Sequence, residues 1–238
     1  MNFLNSAGQY TSAQIAQENA RFMGKVYGWM SLGVFLSGLV AYFVASNETI
    51  AASILGNHLI FWTLLIAEFG LVMFLSARIR TLSAAAATFS YLTYATLSGL
   101  TLSVIFFVYT RESIAEVFGL TAFSFAGLSA FGLVTKRDLG PVGSFCTMGL
   151  WGVIGYSLIA MFFPAWINTP LDRTMSLMGV VVFAGLTAYD TQRIKSLNVI
   201  GNEGTEEEKR GAIMGALILY LDFINLFLFL LRLMGRKK

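Results

Sequence analysis

Three acidic side chains stand where acids are costly. Glu68, Asp190 and Asp222 lie inside long apolar runs, in LIAEFGLVMF, TAYDTQRIK and LYLDFINLF. The remaining acids fall in loops, tails or helix ends. An Asp at the centre of a membrane helix costs roughly 2.5 to 3.5 kcal/mol on insertion scales, so such residues face a protein interior or a wet cavity. No lysine lies deep in any of these runs, so ion pairing offsets the acids only in part. A shared proton, a bound cation or water must do the rest. If Asp190 and Asp222 meet, they cannot both stay ionised in a low dielectric, and they titrate as a unit. Protonated once, the pair is a hydrogen-bonded latch between two helices. Fully ionised, it repels itself and either opens or takes a cation, and carboxylate oxygens are what Ca²⁺ prefers. The pattern therefore offers a proton switch, with Asp190 and Asp222 as gating residues and transient Ca²⁺ ligands.

Simpler roles compete for the same residues. Asp190 and Arg193 form a local i,i+3 pair. Asn225 shares a helical face with Asp222, so either side chain could clasp a neighbouring helix. Glu68 could pair with a base from another helix, and Arg78 and Arg80 follow it by about three turns.

The elements that must position these acids follow from composition. Of 238 residues, 56% are hydrophobic and 12% charged. A soluble domain carries about 25% charged residues, and a disordered chain carries far fewer apolar ones. Mean hydropathy is +0.70. Seven apolar runs are long enough to cross a bilayer at ~20 residues each. They are Val26–Ala45, His58–Ala77, Leu82–Val108, Val117–Thr135, Phe145–Phe163, Met175–Ile194 and Ala212–Leu231. They are continuous rather than alternating, which excludes a β-barrel. The expected fold is an all-α integral membrane protein with seven transmembrane helices. Residues 1–20 read as a polar tail without a signal peptide, and residues 21–238 as one seven-helix domain. Gly140–Pro141 and Asn168–Pro170 carry turn signals. Spans three to five are rich in small residues such as Gly99, Gly132 and Gly149, which let helices approach closely. The hydroxyls of span three, Ser90, Thr93, Thr96, Ser98 and Thr101, either bond back to their own helix or line a polar path.

Basic residues orient the chain. The side of the N-terminus holds Arg21, Lys25, Arg78, Arg80, Lys136, Arg137, Arg193, Lys195, Lys209 and Arg210, and the other side holds Arg111 and Arg173. The N-terminus is thus expected in the cytoplasm. Seven crossings then leave Arg232, Arg236, Lys237 and Lys238 outside, against the rule. Glu206, Glu207 and Glu208 read as charges that keep a loop solvated. One cysteine, Cys146, and one histidine, His58, exclude an intrachain disulfide and any Cys-based or two-His metal site. No cofactor is implied. The bases are dispersed, which argues against nucleic acid. The expected partners are the bilayer, Ca²⁺ and protons.

The stretches that carry the aspartates also carry a resemblance. TAYDTQRIK at 187–195 and LILYLDFINLFLFLLRLMG at 217–235 resemble the last two helices of the Bax inhibitor-1 family, in its bacterial branch. The similarity runs from about Arg21 to Gly235 and includes the Glu-bearing second span and the KRDL loop at 136–139. The resemblance implies a last helix surrounded by the other six, and a pH-sensitive Ca²⁺ leak controlled by a di-aspartyl unit at Asp190 and Asp222. It also implies a supporting Glu, here Glu68, and an Arg at the end of the second helix, for which Arg78 and Arg80 both qualify. A bacterial inner membrane is the location it implies.

Two other functions fit parts of the pattern. An intramembrane aspartyl protease also carries a Tyr-Asp pair, as at Tyr189-Asp190, and a second Asp on the next helix. Its second motif needs Gly-x-Gly-Asp, whereas the chain reads Leu219-Tyr220-Leu221-Asp222. The expectation is therefore not an enzyme. A protein that binds and restrains a membrane protease would need a recognition segment, either the polar tail or the 195–210 loop.

Overall fold

The computed structural model describes residues 10–163 and 170–238. Nine helices form among these residues: α1 (Ser12–Ala45), α2 (Glu48–Leu55), α3 (His58–Arg78), α4 (Ala84–Leu102), α5 (Ile105–Val108), α6 (Arg111–Val134), α7 (Gly140–Phe162), α8 (Pro170–Ser196) and α9 (Glu206–Met234). Seven segments are long and apolar enough to cross a membrane, and each overlaps one predicted run. The chain is an all-α, multi-pass membrane protein. The apolar stretch of α3 is only 6% buried, whereas that of α9 is 61% buried. Phe69 on α3 is 70% exposed and Phe123 on α6 is 81% exposed. In water such surfaces would associate, whereas in a bilayer they face acyl chains.

Contacts divide the chain into two compact units, Met1–Val104 with Ile194–Tyr220, and Ile105–Arg193 with Leu221–Lys238. Each includes a stretch of α9. In the first, Ala216, Leu219 and Tyr220 are fully buried. In the second, Leu226 and Leu231 belong to a core with Val117, Phe183 and Leu186.

In the first unit the polar N-terminal segment is not a tail from Ser12 onward. Thr11 caps α1, accepting from the Gln14 amide while Gln14 returns the bond to the Thr11 amide at 2.7 Å. The polar turns of α1 are strapped to the α8–α9 connection. Arg21 meets Glu203 at 2.9 Å and Lys25 meets Glu208 at 2.6 Å. Glu18 accepts from the Gly201 amide at 2.7 Å, and Asn198 donates to Asn19 at 3.0 Å. That connection turns at Gly201 and Gly204, with φ of 91° and 82°, a region closed to most side chains.

The glutamates that open α9 depart from the expected solvated loop. Glu206 accepts from the Ala84 amide at 2.8 Å and so caps α4. Glu207 accepts from Asn202. Glu208 is 7% exposed, and besides Lys25 it accepts from the Gly204 amide.

Helix α2 was not expected. Its eight residues, capped by Asn47, are too few to cross a bilayer. Asn57 then caps α3. Span three also breaks. After Leu102 the Ser103 hydroxyl donates to the Leu100 carbonyl at 2.6 Å, and α5 follows as a separate turn.

In the second unit Pro141 sits in the first turn of α7, where its missing N–H costs nothing. The predicted turn at Gly140–Pro141 is thus a helix start. Residues 168 and 169 of the other predicted turn lie outside the described residues, and Pro170 opens α8.

The chain end is clamped to the α5–α6 junction. Tyr109 and Lys237 form an isolated antiparallel bridge. The Thr110 amide donates to the Arg236 carbonyl at 3.0 Å and the Lys238 amide to that of Val108 at 3.1 Å. The tail bases have local partners: Arg232 meets Asp172, Arg236 meets Glu116, and the Lys238 ammonium donates to the Phe106 carbonyl. The charges that break the orientation rule are therefore partly neutralised. Burial pushes the Tyr109 hydroxyl pKa up, against the pull of the Arg232 guanidinium.

Candidate functional site

Helix α8 carries Asp190 two turns before its end, and α9 carries Asp222 near its middle. Both aspartates belong to the second unit, where their side chains share a hydrogen bond. Asp190 is 9% exposed and Asp222 is 4% exposed. Two carboxyl groups share a hydrogen bond only if one of them carries a proton. The Oδ2 atom of Asp222 is buried and has no hydrogen-bond partner among the described residues. A charge spread onto that oxygen would go uncompensated. Asp190 instead has the Arg193 guanidinium acting on it from one turn along α8. The Arg193 guanidinium and the Asp222 carboxyl group therefore both act on Asp190.

Small residues bring α8 into place. A methyl group at Gly132 of α6 would run into the carbonyl oxygen of Ala188. One at Gly185 of α8 would meet the Cys146 sulfur of α7. Thr191, fully buried, donates to Ser129 of α6 at 3.3 Å. Next to Asp222, the Phe223 ring packs edge-on against Phe118 and Phe125, with centroids 5.4 and 5.5 Å apart. These aromatic rings pack against the α9 face that carries Phe223.

The other sequence candidates fall elsewhere. Asn225 clasps no other helix among the described residues: its amide donates to the Leu221 carbonyl at 2.8 Å, one turn back. Glu68, Arg78 and Arg80 belong to the first unit. Glu68 accepts from the Thr101 hydroxyl at 2.8 Å and has no basic partner among the described residues. The expected ion pair is replaced by a hydroxyl donor from the adjacent helix. Arg78 closes α3, and the Arg80 carbonyl accepts from Arg210 at 2.8 Å.

Sequence reasoning missed a hydroxyl cluster and an ion pair. In the first unit the Tyr220 hydroxyl donates to Ser98 at 2.9 Å and lies 2.7 Å from the Ser37 hydroxyl. Ser37 also donates to the Ala95 carbonyl at 2.8 Å, and Tyr91 donates to the Trp29 carbonyl at 3.0 Å. Thr93 and Thr96 of span three bond back to their own helix, whereas Ser98 and Thr101 also bond to other helices. In the second unit Asp172, 4% exposed, meets Arg232 at 2.9 Å and accepts from Tyr156. Asp172 opens α8 and gave no sign of burial in the sequence.

Among the described residues no group of three or more His, Cys, Asp and Glu side chains could hold a metal ion.

Comparison with known proteins gives the family. The family model described as "Inhibitor of apoptosis-promoting Bax1" matches residues 19–238. An uncharacterised protein of Borreliella burgdorferi is 44% identical over 218 residues, covering 92% of this chain and 93% of the relative. The inner membrane protein YbhL of Escherichia coli K12 is 42% identical over 219 residues, covering 91% and 92%. An uncharacterised membrane protein of Streptococcus pyogenes is 33% identical over 230 residues, covering 96% and 97%. With a match spanning all seven apolar segments and both aspartates, the chain belongs to the Bax inhibitor-1 family.

Proposed function

We propose that the protein is a pH-sensitive Ca²⁺ leak in which the Asp190–Asp222 pair gates the path. The observation that carries this reading is the hydrogen bond between two buried carboxyl groups on different helices. With one shared proton, the pair ties α8 to α9. Without it, two negative charges in contact repel at low dielectric. Separation of the helices would then expose carboxylate oxygens to a passing cation. The expected supporting groups carry none of this reading: Glu68, Arg78 and Arg80 belong to the first unit, and Asn225 bonds back to Leu221 of its own helix. The relative described as an inner membrane protein supports a bacterial inner-membrane location, and the Lys and Arg bias supports a cytoplasmic N-terminus.

The protease reading shares the two-aspartate geometry. It would need a water and a peptide beside the carboxyl groups, and both are at least nine-tenths buried. The partner reading would have to recognise a composite surface, because the N-terminal helix and the 195–210 loop are bonded to each other.

The test is Ca²⁺ flux into dye-loaded liposomes across a pH series. A pH-dependent step that Asp190→Asn or Asp222→Asn abolishes or shifts supports the leak. Flux absent at every pH, or unchanged in both variants, sinks it. Cleavage of a helical substrate that stops in either variant would restore the protease. A membrane protease that copurifies and is lost on deleting residues 1–20 would favour the partner.

A further inference from the structure

The first unit contains a cleft that none of the groups above explains. Its volume is about 590 Å³, within the range of small-ligand sites. The floor is apolar, formed by Phe22 of α1, Ile194 of α8, and Met214 and Ile218 of α9. The rim is ionic, with Arg80, Glu207, Glu208 and Arg210.

The rim charges are not equally free. Glu208 is neutralised by Lys25 at 2.6 Å. Glu207 accepts one bond from Asn202 at 3.1 Å and has no ion-pair partner among the described residues. Arg210 donates through one nitrogen to the Arg80 and Leu82 carbonyls, at 2.8 and 3.0 Å. It has no carboxylate at ion-pair distance among the described residues, and its other N–H groups have no such acceptor. The Arg80 side chain has no partner of either kind among them. Two cations are therefore left beside one carboxylate.

The depth of the cleft narrows the ligand. Arg80 follows the end of α3 by two residues, and Arg210 precedes the apolar run beginning at Ala212 by two. The rim thus stands where hydrocarbon gives way to headgroups, and Met214 and Ile218 carry the floor toward the hydrocarbon side. Planar guanidinium groups match the oxygens of a phosphate, and basic pockets at helix ends suit lipid headgroups. A ligand with a phosphate at one end and methylenes at the other satisfies both rim and floor.

We propose that this cleft binds one phospholipid, with its phosphodiester between Arg80 and Arg210 and the start of an acyl chain on the Phe22–Met214 floor. The Glu207 carboxylate, bonded only to Asn202 among the described residues, would receive the ammonium of an amine-bearing headgroup. This site is independent of the aspartate pair and of the leak reading.

Native mass spectrometry of the full chain in detergent tests the site. The protein is titrated separately with phosphatidylethanolamine, phosphatidylglycerol and inorganic phosphate. The expected result is a single lipid adduct above the statistical background, weakened about tenfold by Arg80→Gln, one lost charge-assisted contact. Arg173→Gln, an equal charge loss at the start of α8, should leave it unchanged. Met214→Trp, which fills the floor, should also weaken it. Arg80→Gln removes no side-chain bond seen in the fold, so its melting temperature should match that of the parent. No adduct above background overturns the proposal, as does equal loss in Arg80→Gln and Arg173→Gln. Inorganic phosphate binding as tightly as either lipid overturns the lipid assignment.

Discussion

The Arg232 guanidinium lies 2.9 Å from the Asp172 carboxylate, the acid almost wholly buried and the base about two-thirds so. This pair joins the last turn of α9 to the first turn of α8. It also gives the base at the end of the last apolar run a local counter-charge.

Removing the base should be worse than removing both charges. Arg232→Met would leave Asp172 buried without its cation, and an expected loss of about 2–3 kcal/mol follows. The double variant Arg232→Met/Asp172→Leu should recover most of it. Breaking the exposed Arg236–Glu116 pair should cost at most about 0.5 kcal/mol. Unfolding of each variant in detergent, followed by circular dichroism, reads all three.

The aspartate pair predicts a matched result from two single substitutions. Asn at 222 can donate to Asp190 through its amide but has no proton to lose. Asp222→Asn should therefore keep the helices tied while removing the pH-dependent step from liposome flux. Asp190→Asn should remove the step too, because it also destroys the shared titration. A pH profile unchanged in both would contradict the gating role.

Two glycines of α6 should respond oppositely to a methyl group. At Gly132 it would strike the Ala188 carbonyl, whereas at Gly127 nothing lies within 4 Å. Gly132→Ala should destabilise by about 1–3 kcal/mol. Gly127→Ala should be neutral or stabilising, by up to about 1 kcal/mol. Equal melting temperatures for the two variants would contradict the close α6–α8 approach.

The hydroxyl cluster predicts coupling across helices. Tyr220→Phe should cost about 1–2 kcal/mol, because it removes the donor to Ser98 and the partner of Ser37. In a double-mutant cycle with Ser98→Ala, the summed single losses should exceed the loss of the pair.

The parts of the fold legible in the sequence were those written in local hydropathy. Each crossing shows as an unbroken apolar run, so seven helices could be counted from residue type alone. Helix α2 escaped because eight residues between Asn47 and Gly56 are too short to register as a run. The polar start of α1 escaped because its helicity rests on a cap at Thr11 and on bonds to Glu203 and Glu208, more than 180 residues away. The aspartates announced themselves because an acid in an apolar run is conspicuous wherever its partner lies. Asp172 did not, since an acid at a helix start is ordinary, and its burial depends on an Arg sixty residues later. Glu68 was visible, but the donor that meets it, Thr101, looked like one of several hydroxyls on its span.

The clamp at the chain end has a practical consequence for mapping sidedness. Lys238 is held by its backbone amide to Val108 and by its ammonium to Phe106. A reporter enzyme or affinity tag joined there must hang from a residue already bonded at both groups. Such a fusion would begin beside the bridge between Tyr109 and Lys237, in the middle of that bonded segment. A reporter inserted at the exposed turn around Gly56, between α2 and α3, would leave that clamp untouched and load only the local caps at Gly56 and Asn57.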